Sequence, residues 1–318
     1  MRCLTLFGIL TLLALAACKP EPVDTWQPTP YILPTPRYFP TANNIPADNP
    51  MTEEGVALGE RLFNEERSCA MCHHKEYSFE MGPTGTLENL GTQHTMLPLI
   101  NLAWNTTGLG WKSQVATLEE MVYAAYTDPT EINADTMDVV RRLQQSSLYH
   151  DLFKKAFGTD EISFVRMEKA IAQYVRSLVF ANSKFDRYLR GEEQLTQDEL
   201  IGYQLFVTEN GADCFHCHGG GANALFTTNL RYNNGLDANA SEEFKAPTLR
   251  NIALTAPYMH DGRFATLDEV IDFYSEGVQY SDHISPLMHH VMQGGVHLTE
   301  QEKQQLKAFL NTLTDELP

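Results

Sequence analysis

Cys69-Ala70-Met71-Cys72-His73 recurs, as the pattern C-x-x-C-H, at Cys214-Phe215-His216-Cys217-His218, and the two copies hold four of the six cysteines of the chain. In this pattern the two thiols form thioether bonds with a c-type haem, and the adjacent histidine becomes an axial ligand of the iron. The sequence therefore predicts two covalently bound haem c groups. The attachment residues would be Cys69, Cys72, Cys214 and Cys217, and the iron ligands His73 and His218.

Paired cysteines also serve zinc sites and redox enzymes. A four-cysteine zinc site is disfavoured because the two pairs lie much farther apart than usual zinc ligands, and because a histidine follows each pair directly. A thioredoxin-like motif would follow a strand in a βαβ unit, and no such pattern is visible here. Haem attachment is the favoured interpretation.

The N-terminus predicts export. Arg2 precedes an apolar run, Leu4 to Ala17, that is too short to cross a bilayer and is typical of a secretory signal. Leu15-Ala16-Ala17-Cys18 resembles a bacterial lipobox, which predicts a lipoprotein signal peptide over residues 1–17 and a lipid on Cys18. The alternative is an ordinary cleavage site with an incidental cysteine. Either way the protein is expected in the periplasm, held to a membrane by the lipid anchor only.

Residues 18–50 are rich in proline, threonine and asparagine and show no apolar period. This composition predicts an extended tether between the lipid and the folded body. The alternative is an ordered segment that packs over the domains, because Trp26, Tyr31, Tyr38 and Phe39 are apolar for a pure spacer.

The rest of the chain shows an internal duplication. Gly59-Glu60-Arg61-Leu62-Phe63 precedes the first motif, and Gly202-Tyr203-Gln204-Leu205-Phe206 precedes the second, so Gly-x-x-Leu-Phe recurs at matching places. Two tandem cytochrome c-like domains are predicted, residues 51–190 and 191–318, each opening with a helix that packs beside one haem.

Helix signals dominate both domains. The segment from Phe164 to Phe180 keeps a helical period, and strand signals are weak throughout. Capping boxes are predicted at Thr117 with Glu120, Thr196 with Glu199, Thr266 with Glu269, and Thr299 with Glu302. The predicted fold class is mainly α, with long loops around the cofactors.

The net charge of −18 argues against a nucleic-acid partner and suits a basic protein partner. Nucleic acid is not expected, since it needs positive patches. An acidic surface would attract a basic redox protein over long range. Solubility alone explains the same charge.

Taken together, the chain is similar to the bacterial di-haem cytochrome c peroxidases of the MauG superfamily. The most specific stretches are Asp213-Cys214-Phe215-His216-Cys217-His218-Gly219 and Ala246-Pro247-Thr248-Leu249-Arg250-Asn251-Ile252-Ala253-Leu254-Thr255-Ala256-Pro257-Tyr258-Met259-His260-Asp261-Gly262. The resemblance implies that the N-terminal domain is peroxidatic and the C-terminal domain transfers electrons. Hydrogen peroxide would be reduced to water with electrons from a small periplasmic donor, a cytochrome c or a cupredoxin.

Breaking the peroxide bond needs a group that moves a proton between its two oxygens. The acidic candidates after the first motif are Glu76, Glu80, Glu88, Glu119, Glu120 and Glu131. The resemblance implies that Glu131, in Asp128-Pro129-Thr130-Glu131, is the acid/base residue. The alternative is a carboxylate at a helix entry that faces water.

Two further residues are assigned by the resemblance. His94 stands in the loop where some relatives carry a histidine that caps the first iron, although its spacing from His73 is longer. It is a displaceable ligand, a proton-transfer group or a surface imidazole, and His74 is a weaker candidate. Trp111 stands at the position of a tryptophan between the haems, but Lys112-Ser113-Gln114 replace the polar residues that usually follow it.

The sixth ligand of the second haem is expected from the helix that begins at Thr266, and the matching position is Tyr274. Most peroxidases of this group have methionine there, which raises the reduction potential, whereas MauG has tyrosine, which favours oxidised iron. Met259, Met288 or a purely structural role for Tyr274 are the alternatives.

Calcium and oligomeric state are left open. The family holds calcium between its domains through an asparagine and backbone carbonyls near Thr255 and Pro257, and Thr95 stands at the asparagine position. Its oxygens can still coordinate calcium. A homodimer is compatible with the sequence.

Three functions are compatible with the sequence, namely peroxide reduction, a MauG-like oxidation of tyrosine or tryptophan on a partner protein, and electron transfer without catalysis.

Overall fold

The computed structural model describes residues 26–83, 94–220 and 223–315. The signal segment 1–17 and Cys18 lie outside the described residues. Within them the fold is mainly α, as predicted. The α-helices are α1 Glu53–Phe63, α2 Leu118–Thr127, α3 Thr136–Gln144, α4 Ser147–Phe157, α5 Phe164–Ser177, α6 Lys184–Leu189, α7 Gln197–Phe206, α8 Phe215–His218, α9 Leu267–Asp272 and α10 Glu300–Asn311. No helix in these three stretches is long and apolar enough to span a bilayer.

Short elements fill the loops between the helices. Single 3₁₀ turns are found at Cys69–Met71, Lys75–Tyr77, Leu102–Trp104, Ile252–Leu254 and Val291–Gln293, and a π-helical turn, Phe273–Gly277, extends α9. Strands β1 Arg231–Tyr232 and β2 Phe244–Lys245 pair antiparallel, with Arg231 opposite Lys245. The weak strand signal of the sequence is thus confirmed.

The predicted capping boxes explain where several helices begin. Those at Thr196, Thr266 and Thr299 are complete, since each hydroxyl accepts a backbone N–H and the glutamate three residues later accepts the threonine N–H. The box at Thr117 is only half formed. Its hydroxyl accepts the N–H of Glu120, but the Glu120 carboxylate accepts the N–H of Ala116 instead.

The duplicated Gly-x-x-Leu-Phe sequence is the contact point of a helix pair in each domain. A Cβ atom at Gly59 in α1 would overlap the carbonyl oxygen of Ala170 in α5. A Cβ atom at Gly202 in α7 would overlap the carbonyl oxygen of Gln305 in α10. Only glycine permits backbones to approach this closely. Each pair positions the helix that leads into one C-x-x-C-H motif.

Two apolar cores follow from these pairs. The first contains Leu58, Leu62 and Phe63 with residues of α2 to α5. The second is rich in aromatic rings and contains Phe185, Phe206, Phe226 and Phe309.

Helix α6 belongs to the second core. Phe185 is fully buried there, and its N–H donates to Thr312 O at 3.0 Å. Asp186 accepts both terminal nitrogens of Arg250, at 2.8 and 2.6 Å, in a buried ion pair. Helix α6 therefore packs with the second core although it precedes residue 190, and the domain boundary at that residue stays a prediction.

The described part of the predicted tether lies on the folded body. Trp26 Nε1 donates to Lys155 O at 2.9 Å, and Tyr38 Oη donates to Leu189 O at 2.9 Å. Phe39 is buried, with its ring edge-on to Trp104 at 4.9 Å between centroids. These contacts favour the ordered alternative for residues 26–50, and the tether over residues 18–50 stays a prediction.

Candidate haem sites and the residues between them

The second C-x-x-C-H motif opens into a large cavity. Cys214, Cys217 and His218 line about 1480 Å³ of space between atoms, part of which is open to solvent. Most of the wall is apolar, including Phe206, Leu249, Ile252, Leu267, Ile271 and Leu306. The cavity therefore fits a large, flat, apolar group such as a porphyrin.

His218 has the geometry of an iron ligand. Its Nδ1 lies 3.0 Å from Pro247 O, and because a carbonyl only accepts, Nδ1 carries the hydrogen. Nε2 is then left with its unshared pair for a metal. Burial lowers the pKa of His218 to about 4, so the imidazole is neutral near pH 7. Holding the non-ligating nitrogen on a carbonyl is the usual way to orient a metal-bound histidine.

Cys214 and Cys217 line this cavity, and none of the four motif cysteines forms a disulfide. Burial raises the pKa of Cys217 to about 12 and that of Cys69 to about 11. These are the four residues predicted to form thioethers.

All three candidates for the sixth ligand line the second cavity. Tyr274, Met259 and Met288 each contribute to its wall. Burial raises the pKa of Tyr274, and its hydroxyl oxygen accepts Asn234 Nδ2 at 2.9 Å. Tyr274 reaches this place from the π-helical turn after α9. The choice of Tyr274 stays a prediction.

The first motif repeats the arrangement of the second. His73 Nδ1 lies 2.6 Å from Phe79 O, which again fixes the hydrogen on Nδ1 and leaves Nε2 available. Phe63, from α1, lies 6.4 Å from the His73 ring between centroids. Burial lowers the pKa of His73. The residues of this motif therefore also fit covalent haem.

Glu131 lies close to the first motif. Burial is the main cause that raises the pKa values of Cys69 and Cys72, and the negative charge of Glu131 adds to the rise at both thiols. Burial also raises the pKa of Glu131, and the negative charge of Asp128 adds to the rise. The side chain still reaches solvent. A carboxyl group with a raised pKa beside the first motif is a candidate for accepting and returning a proton.

Glu80 is a second acidic group near this motif, and nothing in the sequence distinguished it from the other five acidic candidates. It is buried, with burial raising its pKa to about 8. Its backbone pairs with His74, and Gly82 N donates to its carboxylate at 3.3 Å. Its burial and its backbone pairing with His74 arise from the fold, so no local sequence pattern marks it.

The other acidic candidates have different roles. Glu119 forms a two-pronged ion pair with the buried Arg176 in α5. Glu120 binds a helix N-terminus, and Glu76 is exposed. Glu88 lies outside the described residues.

Trp111 and His94 both lie beside His260, which lines the second cavity. Trp111 lines that cavity and donates from Nε1 to Thr95 O at 2.7 Å. His94 Nδ1 lies 3.3 Å from Nδ1 of His260, whose ring stacks on Phe244 at 3.7 Å. The structure therefore brings Glu131 near the first motif, and brings both His94 and Trp111 to His260. A ligand role for His94 stays a prediction.

Thr95, the predicted calcium position, bridges the two domains. Its N–H donates to His260 O at 2.7 Å and its hydroxyl to Met259 O at 3.0 Å. The hydroxyl oxygen keeps its unshared pairs, so calcium also stays a prediction.

The fold and the two motifs define a c-type cytochrome with two haem sites. Residues 53–194 match the family model described as di-haem cytochrome c peroxidase. The chain belongs to this family of di-haem cytochrome c peroxidases and MauG proteins.

Individual relatives agree. The methylamine utilization protein MauG of Methylophilus methylotrophus is 33% identical over 256 residues, covering 73% of this chain and 75% of that protein. The cytochrome c551 peroxidase of Nitrosomonas europaea is 31% identical over 302 residues, covering 86% and 83%. A solved MauG-like protein associated with microbial copper homeostasis is 34% identical with a TM-score of 0.80, covering 90% and 96%.

Membership fixes several coarse properties. The protein is a peroxidase-type oxidoreductase, and its family carries two haem c groups and acts in the periplasm. The haem attachment predicted from the two C-x-x-C-H motifs is consistent with this family.

Proposed function

We propose that the protein reduces hydrogen peroxide to water at the first haem, using electrons that enter at the second from a small periplasmic redox protein. The balance is H2O2 + 2e⁻ + 2H⁺ → 2H2O. The observation that carries the proposal is the position of Glu131, a carboxyl group with a raised pKa beside Cys69 and Cys72.

The residues of the first site would divide the work as follows. Cys69, Cys72 and His73 hold the haem, which when bound supplies the iron that coordinates peroxide and the electrons that break its O–O bond. Glu131 accepts the proton of the near peroxide oxygen and returns it to the far oxygen, which leaves as water. Phe79 O keeps the His73 ring in one orientation.

Electrons would travel from the second site past Trp111. This residue lines the cavity of His218 and hydrogen-bonds to Thr95 on the connection towards the first domain. His94 would assist as a proton-transfer group or a displaceable ligand. The net charge of −18 supports a basic donor, a cytochrome c or cupredoxin. The proposal includes a lipid anchor at Cys18 and calcium near Thr95.

A MauG-like activity is the second candidate. Peroxide would then take its two electrons from a tyrosine or tryptophan of a partner protein, which is oxidised while two waters form. Tyr274 favours it, because tyrosine rather than methionine stands at the position that the family resemblance assigns to the sixth ligand of the second haem. The relatives named MauG and the MauG-like solved structure favour it as well.

The two candidates are separated by the source of the electrons. The test mixes the holoprotein with hydrogen peroxide and a reduced basic cytochrome c, and follows peroxide loss and cytochrome oxidation together. Peroxide reduction predicts two cytochromes oxidised per peroxide consumed. Peroxide loss without cytochrome oxidation, with new oxygen or a cross-link found on a partner protein by mass spectrometry, supports the second candidate. A holoprotein inert to peroxide in every redox state contradicts both and leaves an electron carrier.

A further inference from the structure

Three side chains outside the haem machinery converge at the rim of the second cavity. Glu209 follows α7, His216 lies in α8 between the two haem cysteines, and His289 precedes the turn Val291–Gln293. One ligand atom from each lies within 4.8 Å of the others. Among the residues that the structure describes, no other three histidine, cysteine, aspartate or glutamate side chains bring their ligand atoms this close together.

His216 is oriented towards the centre of this cluster. Its Nδ1 lies 2.6 Å from Oδ1 of Asp213, which accepts the Nδ1 hydrogen. Nε2 then faces Oε1 of Glu209 at 3.6 Å. Nε2 and Oε1 are both atom types that coordinate transition metals, and they face each other across a gap that one cation can span. A carboxylate behind a histidine is also the usual support of a metal-bound imidazole.

The third ligand is held near the other two by the backbone. His290 Nε2 donates to the carbonyl oxygen of Glu209 at 2.9 Å, which ties the loop carrying His289 to the end of α7. The rings of His289 and His216 lie 5.3 Å apart between centroids. Ligands about 2.0–2.1 Å from a tetrahedral ion are separated by about 3.4 Å. Glu209 and His289 are exposed and free to rotate by the remaining distance.

We propose that Glu209, His216 and His289 bind one divalent transition-metal ion at the edge of the second haem site. Two imidazoles and one carboxylate suit Zn²⁺ and Cu²⁺, whereas Ca²⁺ and Mg²⁺ prefer sites built from oxygen alone. The order of affinities for such ligands predicts tighter binding of Cu²⁺ than of Zn²⁺. Water would complete the coordination, since Glu209 and His289 face solvent.

The alternative is a simple ion pair. A protonated His216 would then hold both Asp213 and Glu209 without any metal. The test must therefore measure metal binding itself, and it is independent of the proposed peroxidase activity.

The experiment is equilibrium dialysis of the tag-free holoprotein against ZnCl2 and, separately, CuCl2, with bound metal counted by mass spectrometry. We expect one ion per chain in excess of a control variant, and no such ion from CaCl2. His289→Ala, His216→Ala and Glu209→Gln should each remove it, and the haem motif stays intact because His216 is one of its variable positions. Asp213→Asn should weaken binding roughly 10–100-fold, as losses of supporting carboxylates do.

His283→Ala is the matched control, because it removes an exposed histidine of the same domain and should leave the ion bound. Haem content and the Soret spectrum report whether each variant has folded. The proposal is overturned if wild-type protein binds no Zn²⁺ or Cu²⁺ beyond the His289→Ala variant, or if the His283→Ala change lowers binding as much as the cluster variants do.

Discussion

Replacing Glu131 by glutamine removes the proposed proton carrier while keeping its size. General acid–base catalysis contributes about 10²–10⁴-fold to a rate. Glu131 reaches solvent, so water can replace part of its function, and we expect the lower end, about 100-fold or about 2.7 kcal/mol of barrier. The measurement is the second-order rate constant for the reaction of the reduced holoprotein with hydrogen peroxide, followed by stopped-flow absorbance without any donor.

The pH dependence gives the same variant a second readout. Burial, with Asp128, raises the pKa of Glu131 above the ordinary carboxyl value. A carboxylate that acts as a base is lost as pH falls through this raised pKa, so the wild-type rate constant should fall on the acid side. Glu131→Gln should be slow at all pH values and lack this limb.

Glu76→Gln serves as the control, since it removes one exposed negative charge near the same motif and should change the rate less than about twofold. A Glu131→Gln protein that reacts with peroxide as fast as the wild type would refute the role of Glu131. A large loss in Glu80→Gln under those conditions would transfer that role to the buried Glu80.

Three further predictions concern the second domain and the surface. Tyr274→Met should raise the reduction potential of the second haem, measured by spectroelectrochemistry, because methionine favours reduced iron. Replacing the exposed Tyr280 by methionine is the control and should leave the potential unchanged. Equal potentials in the wild type and Tyr274→Met would exclude Tyr274 as the ligand. Gly202→Ala should lower the free energy of unfolding by about 1–3 kcal/mol, because the new methyl group would overlap the carbonyl oxygen of Gln305. Gln204→Ala, on the exposed face of α7, should have little effect. An unchanged melting temperature of the Gly202→Ala protein would argue against the close helix crossing. Oxidation of a basic donor should slow as ionic strength rises from about 0.01 to about 0.15 M, and a rate independent of salt would argue against electrostatic steering.

Local patterns predicted most of the fold. The C-x-x-C-H motifs, the capping boxes and the repeated Gly-x-x-Leu-Phe each depend on residues close together in sequence, and helices α1, α7 and α10 follow from them. The place of α6 could not be predicted this way. Helix α6 packs against the second core through contacts with Arg250 and Thr312, which are distant from it in sequence.

The site was predictable to a similar extent. The haem-attachment residues are marked by their spacing, whereas Glu131 is indicated by the family resemblance alone, and both assignments stay predictions. The contact between His94 and His260 joins residues 166 positions apart, and no local pattern indicates it. The cluster of Glu209, His216 and His289 is hidden for the same reason. His216 looks like a variable residue of the haem motif until the loop carrying His289 is folded against it.

The most direct test of the proposed division of labour removes one haem at a time. Pyridine haemochrome analysis should give two haems per wild-type chain, and one each in the Cys69→Ala/Cys72→Ala and Cys214→Ala/Cys217→Ala variants. We predict that the variant without the first haem is still reduced by the donor but no longer reacts with hydrogen peroxide. Peroxide reactivity that survives loss of the first haem would contradict the account.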